Sequence, residues 1–124
     1  MSRTWLVTGC LFAFLSVAMG AFATHALRER LDTYALSVFQ TGATYLMYHA
    51  LALIALGLAN QNSRLTFRAG YCFIFGSAIF SGSLFAIALS GNKSFGMITP
   101  VGGTFFLLGW IFFSLAAFRF KGNS

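Results

Sequence analysis

Apolar residues run almost unbroken through four stretches of the chain, and polar positions fall between these stretches rather than alternating with them. Charges mark the breaks: Arg3, then Arg28, Glu29, Arg30 and Asp32, then Arg64 and Arg68, then Lys93, then Arg119 and Lys121. Each uncharged run reaches or exceeds the ~20 residues that cross a hydrocarbon core of about 30 Å at about 1.5 Å per helical residue. The pattern predicts four spans, at about 4–26, 36–59, 69–90 and 99–118. The turns between them are short, which makes neighbours antiparallel. The expected fold is an all-α, integral membrane four-helix up-down-up-down bundle, one transmembrane domain over residues 1–124.

Local signals refine the elements. Asp32 suits the N-cap of the second helix, although Ala35 three positions on leaves the capping box incomplete. Asn60-Gln61-Asn62-Ser63 and Gly91-Asn92-Lys93-Ser94 read as turns, and Thr99-Pro100 as the opening of the last helix, where proline's missing N–H costs nothing. Small residues mark faces for close helix contact. They recur at Gly9, Ala13, Ser16, Gly20 and Thr24 in the first span, at Ala78, Gly82 and Ala86 in the third, and every seven residues at Gly102, Gly109 and Ala116 in the fourth. Trp5 is placed at the headgroup level, where amphipathic rings collect. The first apolar run is longer than the ~7–15 residues of a signal peptide's core, so it reads as a retained span.

The polar residues inside the spans carry whatever chemistry the chain has. Thr41, Tyr45 and His49 lie one turn apart on one face of the second helix, a stripe that must meet protein or water rather than lipid. Counting depth from the second turn places His49 level with Ser81. His49 or Tyr45 is therefore expected to face Ser81 or Ser83 between the second and third helices, and these five residues form the candidate intramembrane site. His25 and Thr99 are candidate interfacial residues. His25 ends its span about 20 Å in depth from His49, so the two histidines are not expected to share a metal.

Composition narrows the functions. With 58% hydrophobic and only 8% charged residues, the chain belongs in a bilayer. The net charge of +6 sits in single residues and pairs at span ends, which is the distribution of membrane anchors and not of a nucleic-acid-binding surface. Basic residues divide five to three between the two sides: Arg3, Arg64, Arg68, Arg119 and Lys121 against Arg28, Arg30 and Lys93. That bias predicts both termini in the cytoplasm. Glu29 and Asp32 are the only acids, and both fall in the first turn. No carboxylate is available in the bilayer for proton exchange, acid–base catalysis or a metal centre. Cys10 and Cys72 have no paired spacing and read as buried, free thiols. Catalytic, cofactor-binding and metal-binding residues are all expected to be absent. The first expectation is a non-enzymatic structural or accessory protein that binds lipid, a second copy or another membrane protein. The alternative is a channel or transporter for a small neutral or anionic solute, lined by Thr41, Tyr45 and His49.

Four ordered motifs carry a family resemblance. Gly20-Ala-Phe-Ala-Thr-His25, Thr41-Gly-Ala-Thr-Tyr-Leu-Met-Tyr-His49-Ala-Leu-Ala-Leu53, Phe80-Ser-Gly-Ser-Leu84 and Thr99-Pro-Val-Gly-Gly-Thr-Phe-Phe-Leu-Leu-Gly-Trp110 touch every span. Together they resemble the YgdD/YwdK-like family of small bacterial inner-membrane proteins, a family of unknown function. Leu46 stands where that pattern often has glutamine and Phe85 where it often has tyrosine, so two polar groups are missing here. The resemblance implies a multi-pass plasma-membrane protein and supplies no reaction.

Overall fold

The computed structural model describes residues 2–120. Among these residues four helices are long and apolar enough to cross a membrane: Ser2–Leu27, Thr33–Ala59, Arg64–Ser90 and Lys93–Phe118. The architecture is the all-α membrane bundle expected from the pattern. Caps set its corners. The Asp32 carboxylate accepts from the Ala35 N–H at 2.7 Å, and Ser63 Oγ accepts from the Thr66 N–H at 3.1 Å. Asn60 and Gly91 close the second and third helices in the left-handed region, at φ 52° and 74°.

The third helix starts at Arg64, five residues before the expected 69. Its cap is Ser63, so Arg64 and Arg68 ride in its first turns instead of lying in the preceding loop. Ser63→Ala is expected to destabilise the bundle by about 0.5–2 kcal/mol. Unfolding in mixed micelles checks this; a variant as stable as wild type would show that the cap does not hold the turn.

The second and third helices form the centre, with 50% and 44% of their most apolar windows buried, against 17% and 22% for the first and fourth. The first helix packs chiefly on the second and the fourth chiefly on the third. Backbones approach closely where glycine permits it. A Cβ on Gly9 would stand 2.8 Å from the Ala50 carbonyl, and one on Gly57 would stand 2.8 Å from both the Leu6 nitrogen and the Ser2 carbonyl. Gly102, Gly109 and Ala116 are all buried, as the seven-residue repeat anticipates.

The other two small-residue faces hold only in part. In the first helix Gly9 and Ser16 are buried, but Thr24 is exposed and Gly20 faces open space. In the third, Ala78 and Gly82 are exposed, and Ser77, Ser81 and Ser83 turn inward instead. A π-helical turn at Ser77–Ser81 rotates the phase of that helix. A second π turn, Ala23–Leu27, ends the first helix and carries His25.

Trp5, expected among headgroups, is 1% exposed. It lies edge-on to Phe67 and Tyr71 of the third helix, over Gly70, in a core with Leu53, Leu56 and Phe73. Gly70 leaves the space that admits the indole. A second core of Ala23, Leu27, Phe39 and Ala88 fills the opposite end. Cys72 is buried as expected, whereas Cys10 is exposed on the outer face of the first helix.

The basic residues mark the two ends of the bundle. Arg68 lies over the Phe112 ring at 5.8 Å, and Lys93 over the Tyr34 ring at 4.9 Å. Lys121 lies outside the described residues.

Candidate functional site

His49 is buried between the two cores, and both of its ring nitrogens are engaged. Nδ1 stands 2.7 Å from the Tyr45 carbonyl oxygen, one turn back in the same helix. Nε2 accepts a hydrogen bond from Trp110 Nε1 of the fourth helix at 3.1 Å. A carbonyl cannot donate, so Nδ1 must carry the proton, and the bond pattern assigns the neutral Nδ1–H tautomer. The ring lies flat on Phe106, centroids 3.5 Å apart and planes 4° from parallel, with Phe73 at 5.6 Å on another side. No lone pair on this imidazole is free for a metal.

The partner of His49 differs from the expected one. Ser81 does face the second helix, but its Oγ donates to the Gly42 carbonyl at 2.7 Å. The register explains this. The third helix begins at Arg64, directly after a four-residue turn, so the paired residue numbers of the two helices sum to about 123: Ala59 lies opposite Arg64, Gly42 opposite Ser81, and His49 opposite Phe73. Pairing His49 with Ser81 needs a sum of 130, a slide of seven residues, or ~10 Å. Ser83 looks the other way. Its hydroxyl shares a hydrogen bond with Thr99 Oγ, where the fourth helix passes from a 3-10 turn over Lys93–Met97 into α-helix, and reaches the Phe80 carbonyl at 2.8 Å. Thr99, taken from the sequence as interfacial, is thus part of a helix-to-helix pair.

Thr41 and Tyr45 do not build an internal polar stripe with His49. Thr41 Oγ donates to the Ser37 carbonyl in its own helix, and Tyr45 is 40% exposed, its ring 5.0 Å from Phe80. His25 is exposed in its π turn and joins neither group.

Sequence reasoning overlooked two residues here. Trp110 supplies the interhelical donor to His49. Ser16 donates to the Ala43 carbonyl at 2.7 Å, so hydroxyls of the first and third helices hold adjacent carbonyls of the second, Ala43 and Gly42.

One buried hydroxyl has no partner among the described residues: Ser77 Oγ, in a side chain 1% exposed. Ser77→Ala removes a desolvated group that returns no bond, so stability is expected to stay level or rise by up to ~1 kcal/mol. Loss of stability in the same unfolding assay would show that the hydroxyl is bonded in the membrane.

A cleft of about 350 Å³ opens beside His49 toward the outer surface, walled by Tyr45, Tyr48, Phe80, Gly103, Phe106 and Trp110. Its lining is mostly aromatic, completed by Gly103 and Leu107. The polar groups there are the two tyrosine hydroxyls, the Trp110 N–H and the imidazole, and the last two are spent on each other.

Residues 19–103, from the end of the first helix to the start of the fourth, match the family described as "Protein of unknown function (DUF423)". A "UPF0382 membrane protein" of Haemophilus influenzae is 41% identical, covering 100% of this chain and 99% of that protein. Proteins of the same description from Staphylococcus aureus and Staphylococcus epidermidis are 37% and 36% identical over 97% of this chain and 99% of their own lengths. No solved structure matches. With relatives aligned from end to end and four apolar helices, the chain is a multi-pass membrane protein and belongs to the DUF423 family.

Proposed function

We propose that this protein is an accessory membrane protein that holds a lipid-soluble molecule or a membrane partner against its outer surface, and is neither a conduit nor an enzyme. One observation carries the reading: apart from the Ser77 hydroxyl, the buried polar groups at the bundle's centre are consumed by bonds inside the bundle. His49 has both nitrogens engaged, and Ser16, Ser81 and Ser83 are each bonded to a neighbouring helix. A pathway for solute needs polar groups that are free to exchange partners. The exposed aromatic cleft leaves the outer face as the place for recognition. The excess of basic residues beside the termini supports a cytoplasmic position for both.

A liposome flux assay on the wild type and on His49→Ala, paired with mass spectrometry of molecules that copurify, tests the reading. No flux from either protein and a defined copurifying molecule or membrane protein are expected. Flux above empty liposomes that His49→Ala alters would overturn it in favour of transport.

A further inference from the structure

The cleft's chemistry narrows what it accepts. Tyr45 is the thirteenth of 27 residues in the second helix, so its Cα lies about 18 Å from one end and about 21 Å from the other. Tyr48 is one turn further on. Both are therefore near the middle of a hydrocarbon core about 30 Å thick, too deep for their side chains to reach headgroups. Neither hydroxyl bonds to any other described residue, yet Tyr45 is 40% and Tyr48 54% exposed, and both line the cleft. A hydroxyl donor in hydrocarbon is costly unless an acceptor meets it. Lipid acyl chains carry no acceptor at that depth. The walls are flat rings set at several angles, with Phe80 and Phe106 5.3 Å apart and Trp110 5.8 Å from His49. Such walls favour a flat ring over a flexible chain.

We infer that this cleft binds a lipid-soluble molecule whose flat ring bears carbonyl oxygens, of the isoprenoid quinone class. Its carbonyls accept from the Tyr45 and Tyr48 hydroxyls, its ring lies among Phe80, Phe106 and Trp110, and its tail leaves through the open side into lipid. The volume of about 350 Å³ lies within the ~300–1,000 Å³ range of small-molecule sites and suits one substituted ring with its tail left outside. The inference rests on the binding reading above and names the ligand class for it.

Tryptophan fluorescence tests it in the whole protein. The chain has two tryptophans: Trp5 is 1% exposed in the core, whereas Trp110 is 46% exposed and lines the cleft. The probe is a benzoquinone carrying one isoprenoid unit, titrated into nanodiscs of neutral phospholipid. Saturable quenching is expected, with no competition from an isoprenoid hydrocarbon that lacks the ring. The double variant Tyr45→Phe, Tyr48→Phe keeps both rings and should weaken apparent binding about tenfold, one hydrogen bond's worth or more. Gly103→Leu should abolish saturation by filling the cleft. A Cβ there meets nothing closer than Phe80 at 3.9 Å, so the bundle tolerates the change. Quenching that rises linearly without saturation, or saturation unmoved by both variants, overturns the inference. So does a stable dimer in the nanodisc-forming detergent that the tyrosine variants dissociate, since a second copy then covers the cleft. Linear quenching with a copurified phospholipid and no flux would sink the quinone assignment while leaving the accessory reading standing; flux sensitive to His49→Ala would remove that reading first.

Discussion

Gly102→Ala is expected to part the third and fourth helices and destabilise the bundle by about 1–3 kcal/mol. The added Cβ would collide with the Phe80 nitrogen and lie 2.7 Å from its Cα, where carbon atoms rest comfortably at about 3.5–4.0 Å. Both obstacles are backbone, so no rotamer change relieves them and one helix must move by about 1 Å. Alanine's better helix propensity offsets at most ~1 kcal/mol. Gly82→Ala is the matched control. It lies in the same helix–helix system with nothing within 4 Å of the new methyl, and it should be neutral or slightly stabilising. Reversible unfolding in mixed micelles, followed by helicity, compares the two. Equal stability of Gly102→Ala and wild type would show that the two backbones do not approach this closely in the membrane.

His49→Ala is expected to cost about 2–4 kcal/mol, chiefly through lost packing. The ring covers Phe106 and Phe73, and its removal opens a cavity and leaves the Trp110 N–H without its acceptor. The hydrogen bond itself accounts for little of this. A double-mutant cycle with His49→Phe and Trp110→Phe keeps aromatic volume at both sites, and the coupling should be ~0.6 kcal/mol, with ~1.7 as a ceiling. A much larger coupling would mean that the unfolded helices in the membrane find no substitute partners. Imidazole nitrogen chemical shifts give an independent reading, since the assigned bonds require Nδ1 protonated and Nε2 bare; the opposite tautomer would undo the Trp110 pairing.

The spans were legible because charge is so scarce that ten residues punctuate the whole chain, and the seam at Gly102, Gly109 and Ala116 was legible because its period is regular. The register between the second and third helices was not. Arg64 and Arg68 look like loop residues beside an apolar run, yet a long cationic side chain can ride on a helix end and reach outward for water. Counting the span from 69 therefore displaced every depth estimate in the third helix. A signal for the true partner of His49 was present. The second and fourth helices run parallel; His49 is 16 residues from Thr33 and Trp110 is 17 from Lys93, so they lie at one depth. A mid-span indole N–H needs an acceptor, and the imidazole at that level was the candidate. Rotational phase was the harder loss. No residue between Ser77 and Ser81 marks a π turn, so the inward turn of Ser83 follows from geometry that composition does not display, whereas Ser77 continues the buried run Thr66, Gly70 and Phe73 at ordinary α spacing.

That π turn also bears on how the chain tolerates changes in length. A π turn holds one residue more than the α-helix needs, so a one-residue deletion within 77–81 could leave an unbroken helix of nearly the same rise. The number of spans and their order would survive. Everything from Gly82 onward would keep its present rotation relative to the segment before it, because the π turn has already absorbed the extra residue within one turn. Ser83 would stay beside Thr99, and Ile87 and Ala88 would stay buried at the far end. The same deletion in a regular α-helical part of the third helix would instead swing all that follows by about 100°, whereas in the Asn60–Ser63 turn it would act on the connection alone.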